Sequence, residues 1–266
     1  MPAPRNTLKA ALTRGEMQSG LWLAMASPVG AELAGNAGFD WCLIDAEHGP
    51  NTLTTIMAQL QSLAGTRAQP VVRVPYGEDW ILKQVLDLGV QTLVVPMVNS
   101  ADQARQVAAA VRYPGQGVRG MGAVLSRASG YGEIVDYVTS ANDEICLFVQ
   151  IESAEAVANV AEIAAVEGVD GLFVGPADLS ADMGHVGAPH HPEVQAAIAR
   201  AYAAADDAGK FAGTITFDAA EFDGLAAQGV RFLGLGGDVH VLRRALVALW
   251  DQRPQPDRES GGRRHR

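Results

Sequence analysis

A single (β/α)8 TIM-barrel domain spanning residues 1–252 is the fold that the sequence predicts, and three observations predict it. The chain has 266 residues, close to the ~250 of a typical barrel. Eight short runs rich in Val, Ile, Leu and aromatic residues recur along it without strict alternation, as strands buried on both faces do. Between them lie longer amphipathic or Ala-rich stretches, the βα rhythm of a parallel sheet. An open doubly wound sheet is the alternative, but eight strand–helix pairs close more naturally into a barrel.

The N-terminal MPAPRNTLKAALTRG predicts a short helix and contains no apolar leader core. Strands are expected at Gly20–Met25, Trp41–Ala46, Pro70–Val74, Thr92–Met97, Ile145–Ile151, Gly171–Val174, Ala212–Thr216 and Phe232–Leu235. Leu53, Ile56, Met57, Leu60 and Leu63 recur at helical spacing after the second strand. Ser153–Ala165 and Pro192–Ala208 are Ala-rich with early acidic residues, as helices covering a sheet are. Gly38, Gly89, Gly168, Gly209 and Gly229 stand where helices stop before the next strand. Pro114–Asp143 is long and Gly-rich, and reads as a functional lid or as a connection that carries a small helix, at Glu133–Ser140. From Arg253 the tail RPQPDRESGGRRHR lacks apolar residues, so 253–266 is expected to be disordered.

Composition narrows the function. A net charge of −10 argues against nucleic-acid and anionic-membrane partners. No run approaches the ~18 apolar residues of a spanning helix. Cys42 and Cys146 lie alone inside apolar strands, which predicts free thiols and a cytoplasmic protein.

In a barrel the active site lies at the C-terminal ends of the strands. Strand two runs into Asp45, Glu47 and His48, strand three ends at Arg73, strand five at Gln150 and Glu152, and strand six runs into GPADLS with Asp178. Glu152 and Asp178, on adjacent strands, would repel unless a cation lies between them. Such hard oxygen ligands suit Mg²⁺, Mn²⁺ or Co²⁺. Equally, each acid sits where it would serve a helix start. Lys9, Lys83 and Lys210 all fall away from strand C-termini, which leaves a Schiff-base aldolase without a nucleophile. His48 is the histidine at a strand end and the candidate general base, with Asp45 placed to orient it. Arg73 at the end of a buried strand wants an anion, either a structural partner or a substrate carboxylate or enolate. Gly175, Pro176 and Ala177 bring backbone N–H groups near the pocket as candidate substrate-binding donors. A zinc site on His190 and His191 is a weak alternative, because adjacent residues rarely share an ion. The GLGGD turn at Gly234–Asp238 resembles a phosphate-binding turn, but the acid that follows the glycines argues against one.

The segments GFDWCLIDAEHGPN, QPVVRVP, QTLVVPMV, RYPGQGVRGMG, VQIES and VEGVDGLFVGPADLSADMG, in order over residues 7–250, resemble the HpcH/HpaI aldolase family of class II pyruvate aldolases. The resemblance implies a barrel of the phosphoenolpyruvate/pyruvate-domain type. It implies Glu152 and Asp178 as ligands of a divalent cation, Arg73 on the 2-oxo acid and its enolate oxygen, and His48 as base. Asp45 would partner that base, with Asp87 as a second candidate reaching from a neighbouring subunit. Gln150 and the backbone at Gly175–Asp178 would hold the carboxylate. The departures from the family lie outside these motifs, at Val124, Leu125 and Ser126 of the lid and at Thr214–Phe217 after strand seven, where they would shape the aldehyde side. The implied reaction is reversible aldol addition or cleavage of 4-hydroxy-2-oxo acids, from pyruvate or hydroxypyruvate and an aldehyde, in a hexamer with the last helix exchanged between paired subunits. Alternatives are a 2-dehydro-3-deoxyglucarate aldolase, a citramalyl-CoA-type lyase, or a non-catalytic barrel that binds 2-oxo acids.

Overall fold

The computed structural model describes residues 1–253. Among these, eight parallel strands close into a barrel in sequence order: β1 Gln18–Leu23, β2 Trp41–Asp45, β3 Gln69–Arg73, β4 Thr92–Val95, β5 Cys146–Ile151, β6 Gly171–Val174, β7 Phe211–Ile215 and β8 Val230–Gly237. Twelve helices accompany them. The first six are α1 Thr7–Thr13, α2 Pro28–Asn36, α3 Leu53–Leu63, α4 Asp79–Asp87, α5 Ala101–Ala110 and α6 Tyr137–Ser140. Then come α7 Ala154–Ala158, α8 Val160–Ala164, α9 Pro176–Asp182, α10 Pro192–Asp207, α11 Phe222–Ala227 and α12 Asp238–Asp251.

Four of the helices that follow strands begin on side-chain caps. Ser27, Thr52, Ser100 and Ser153 each accept a first-turn N–H, so the four turns end in satisfied donors at the same rim. At the opposite rim α2 and α4 stop before Gly38 and Gly89, whose φ of +109° and +100° suits glycine.

The predicted strands all form, with shifts at their ends. β1 begins two residues earlier than expected because Gln18 and Ser19 register with Phe232 and Leu233. It stops at Leu23 because the N–H groups of Ala24 and Met25 turn to the Asp238 carboxylate. That carboxylate ties β1 to the start of α12. The helix expected over Ser153–Ala165 breaks at Asn159, whose side-chain amide leaves the helix for the Asn99 carbonyl at 2.8 Å. Of the small helix expected at Glu133–Ser140, Tyr137–Ser140 forms. The tail beyond Arg253 lies outside the described residues.

Every second strand residue points into the barrel. Trp41 stacks on Phe232 with ring centroids 4.0 Å apart, and Phe148 lies on the same ring at 4.5 Å. Glycines make this possible: a Cβ on Gly20 would meet Trp41 at 2.0 Å, and one on Gly171 would meet Phe148 at 2.3 Å. Leu8 and Leu12 of α1 join this interior cluster and plug the N-terminal end. Outside the strands, aliphatic residues of the helices form the larger core, with Ile56, Leu60, Leu82, Val85 and Ile163 all buried. Cys42 and Cys146 are free and buried, and burial lifts the Cys42 thiol to about 12.

The last helix departs from this pattern. Its first residues rest on β1 and β8, yet every residue from Val239 to Trp250 is exposed, including Val241, Leu246, Leu249 and Trp250.

Candidate active site

The rim at the strand C-termini gathers charge that the strand interiors exclude. β2 and β3 register Asp45 against Arg73. Arg73 Nε and Nη2 donate to the two Asp45 oxygens at 2.8 and 2.6 Å, a buried two-pronged pair. The third nitrogen, Nη1, lies 2.8 Å from Glu47 Oε2, a charge contact without hydrogen-bond alignment. Burial opposes the Arg73 charge, but Asp45, Glu47 and Glu152 more than offset it and raise its pKa. The guanidinium stays charged. It also lies over the Trp22 ring, 5.7 Å from the centroid.

Glu152, 3% exposed, emerges just beyond β5. Its Oε1 accepts the Met97 N–H at 2.7 Å, and its Oε2 accepts from the Gln150 amide. Met97 holds φ at +56°, the left-handed region, to aim that N–H. Burial is the main cause that raises the Glu152 pKa. Its two hydrogen bonds oppose that, Asp178 adds to it, and Arg73 opposes it. Glu47 is raised in the same way, first by burial, with Arg73 opposing and Glu152 adding.

Gly175 follows β6 and presses on this group. A Cβ there would lie 3.0 Å from Glu152 Oε2 and 3.1 Å from Gln150 Nε2. Only glycine leaves the carboxylate room. Asp178 stands in the first turn of α9, exposed, with its charge felt at Glu152. The N–H donors expected of this turn need correcting. Pro176 has none and Gly175 donates to the Ile151 carbonyl at 3.3 Å, so those of Ala177 and Asp178 remain.

Three further expectations meet a different geometry. Asp45 does not orient the His48 ring, because its oxygens hold Arg73 and the backbone N–H groups of Glu47 and His48. The imidazole is 65% exposed, and its nearest carboxylate is Glu47 at 3.9 Å. Asp87 ends α4 at the opposite rim, where Arg119 Nη2 donates to it at 2.6 Å. Within one chain it lies away from the site. The long segment Pro114–Asp143 is no lid over this site either. It joins α5 to β5, an αβ connection at the N-terminal rim, where Arg127 donates to the Leu88 carbonyl and Ala3 to Ser140. Val124, Leu125 and Ser126 travel with it. Of the β7 residues, the Thr214 hydroxyl donates to the Val174 carbonyl. Thr214, Thr216 and Phe217 line a cavity of about 540 Å³ between β7, α10 and α11, bordered by Pro176 and Ala177.

Lys9 and Lys210 donate to carbonyls of Ile145 and Val169 at the starts of β5 and β6, far from this rim. Asp238 binds backbone rather than leaving a phosphate turn open. Sequence reasoning left Glu47 without a role, although it stands in the same run as Asp45 and His48. It gave no sign of the Met97 N–H, because a main-chain donor leaves no residue signature.

A family model described as HpcH/HpaI aldolase/citrate lyase matches residues 18–245. The chain belongs to that family. A hydroxypyruvate/pyruvate aldolase of Agrobacterium fabrum is 50% identical over 263 residues, covering 97% of this chain and 99% of that protein. A 4-hydroxy-2-oxo-heptane-1,7-dioate aldolase of Shigella sonnei is 50% identical over 244 residues, covering 92% and 93%. Among solved structures, an HpcH/HpaI aldolase/citrate lyase family protein of Burkholderia cenocepacia superposes with a TM-score of 0.90 at 40% identity, covering 94% of this chain and all of that one. This HpcH/HpaI aldolase is thus a C–C lyase of a family that generally depends on a divalent metal. Its residues fit such an ion. Asp45, Glu47 and Glu152 surround one guanidinium, the charge of Asp178 reaches Glu152, the donors are hard oxygens, and Gly175 keeps space beside Glu152.

Proposed function

We propose that Glu152 and Asp178 hold a divalent cation, Mg²⁺, Mn²⁺ or Co²⁺, and that the enzyme adds a 2-oxo acid to an aldehyde and cleaves the 4-hydroxy-2-oxo acid product. The observation that carries this reading is the surplus of carboxylates at a rim where burial already raises Glu152 and Glu47. The donor is pyruvate or hydroxypyruvate, in keeping with the names of the Agrobacterium and Shigella relatives. When bound, the cation supplies an electrophile for the donor's keto oxygen.

Arg73, fixed by Asp45, points its charge at the same oxygen as negative charge develops there. Such preorganised donors are typically worth about 3–4 kcal/mol of barrier. His48 Nε2 takes up the proton that leaves C3 of the donor. The resulting carbon nucleophile attacks the aldehyde carbonyl, and His48 returns the proton to the alkoxide that forms, giving the 4-hydroxyl; cleavage runs in reverse. Gln150 and the N–H groups of Ala177 and Asp178 hold the donor's carboxylate. Thr216 and Phe217 lie on the aldehyde side.

The bare apolar face of α12 supports a hexamer in which paired subunits exchange this helix, and Asp87 would then join the site of a neighbour. Among the described residues no helix is long and apolar enough to cross a membrane. The free, buried Cys42 and Cys146 support a cytoplasmic enzyme.

The test is exchange of the pyruvate methyl protons in D2O, followed by NMR without any aldehyde. Exchange should stop on chelation and return with Mg²⁺, Mn²⁺ or Co²⁺. Undiminished exchange in chelator would remove the cation from the mechanism. A panel of aldehydes and CoA esters then assigns the acceptor.

A further inference from the structure

A second group of metal-binding side chains lies outside the barrel mouth, in the segment that joins α9 to α10. His185, His191 and Glu193 present ligand atoms that all lie within 4.8 Å of one another. His185 Nε2 is 2.9 Å from Glu193 Oε2. The two imidazoles lie face to face, with centroids 3.6 Å apart and planes 16° from parallel. Two nitrogens bound to one tetrahedral zinc ion at ~2.05 Å stand ~3.3 Å apart, and the stacked rings, whose lone pairs run in near-parallel planes, reach that bite once one imidazole turns out of the stack.

The backbone builds this arrangement. The His185 N–H donates to the Ser180 carbonyl at 2.7 Å, Ala188 donates to His185 at 2.9 Å, and His191 donates to Ala188 at 3.0 Å. Successive turns, with Gly184 and Gly187 at φ of +83° and +73°, therefore fold the segment back on itself. Pro192 then starts α10 and sets Glu193 in its first turn. The neighbouring His190 leaves the group, with its Nε2 3.5 Å from Glu221. Adjacent histidines diverge, as sequence reasoning expected of them, but His191 meets His185 instead.

We propose that His185, His191 and Glu193 bind one borderline-soft divalent ion of the zinc class, with water in the fourth position. Two imidazoles and one carboxylate favour Zn²⁺, Co²⁺, Ni²⁺ or Cu²⁺, whereas the all-oxygen set at the barrel mouth suits Mg²⁺ or Mn²⁺. His185 is about a quarter exposed and Glu193 largely so, which leaves the ion a path from solvent. Ligation through His191 Nε2 keeps the bond that Nδ1 accepts from the Glu193 N–H at 3.3 Å, and ligation through Nδ1 gives up only that long bond, whose donor water can satisfy. The ion would fasten the end of α9, whose first turn carries Asp178, to the start of α10. The proposal stands apart from the reading of the barrel mouth and does not depend on it.

The experiment is calorimetric titration of the metal-free full chain with ZnCl2 in excess Mg²⁺, with hydrogen exchange over residues 183–193 as a second readout. One Zn²⁺ per chain should bind. Its affinity should fall at least tenfold in His185→Ala and in His191→Ala, and stay unchanged in His190→Ala and in Glu152→Gln. Zinc should slow exchange over 183–193 in the parent and not in His185→Ala. Equal zinc affinity in the parent, His185→Ala and His191→Ala would overturn the proposal. So would a zinc stoichiometry that disappears in Glu152→Gln, or the absence of zinc binding in the parent.

Discussion

The two ends of the barrel interior are made from the same strands and obey opposite rules. Along β2 the inward residues run Trp41, Leu43, Asp45, and along β5 they run Cys146, Phe148, Gln150. On β2 four residues of rise, ~13 Å, separate the stacked Trp41 from the buried ion pair at Asp45. The lower layers are held by close apolar packing, which stabilises the fold and carries no chemistry. The upper layer holds charges that burial disfavours and that only mutual pairing makes tolerable. Apolar packing is concentrated at one end and charge at the other, within one continuous sheet.

Substitutions at each end should therefore fail in different ways, and the largest effect belongs to the lower end. Phe232→Ala opens a cavity among Trp41, Phe148 and Phe173, at a cost of about 3–5 kcal/mol. Thermal denaturation should show a fall on the order of 10 °C, while the folded fraction keeps its kcat. Next, Glu152→Gln should leave the melting temperature intact or higher and cost roughly 10³-fold in kcat; steady-state aldol kinetics beside calorimetry would show whether the split holds. Arg73→Lys should lose roughly 10²-fold, because one ammonium cannot meet Asp45, Glu47 and the keto oxygen at once. Equal losses in kcat and kcat/KM would place its effect in the transition state.

The smallest effect is the pH dependence of the metal-free protein. Glu152 and Glu47 carry pKa values raised above the ordinary 4.5, so the folded chain binds more protons than the unfolded one just above that value. Their contribution is full below the ordinary value and is lost as pH rises through the raised ones. Melting temperatures taken upward from pH 4.5 should fall by a few degrees relative to Glu152→Gln, at roughly 2–4 °C per kcal/mol. A parallel pair of curves would mean that burial costs Glu152 nothing.

The fold was readable because strand burial writes long apolar runs and helix stops write glycines, so all eight strands fell near their places. The ends slipped where a side chain interrupts the ladder, as Asp238 does after Leu23. Site residues named by position at strand ends lie where expected, but their partners did not follow from nearness in sequence. Asp45 lies three residues before His48 yet faces Arg73, because cross-strand register rather than chain spacing decides who meets. The segment Pro114–Asp143 was misplaced for a related reason. Its glycines signal irregular structure without saying which rim it occupies, and α5 before it puts it at the far one.

Met97 is the place where the upper layer stores tension. A side chain other than glycine in the left-handed region costs about 1–2 kcal/mol, and the bond to Glu152 Oε1 is what holds it there. The loop after β4 behaves as a latch: Asn99, two residues on, accepts from both Ser153 and Asn159 on the next helices. Loss of that bond would leave the Met97 backbone free to relax, and Asn99 ties the same loop to Ser153 and to the α7–α8 break at Asn159.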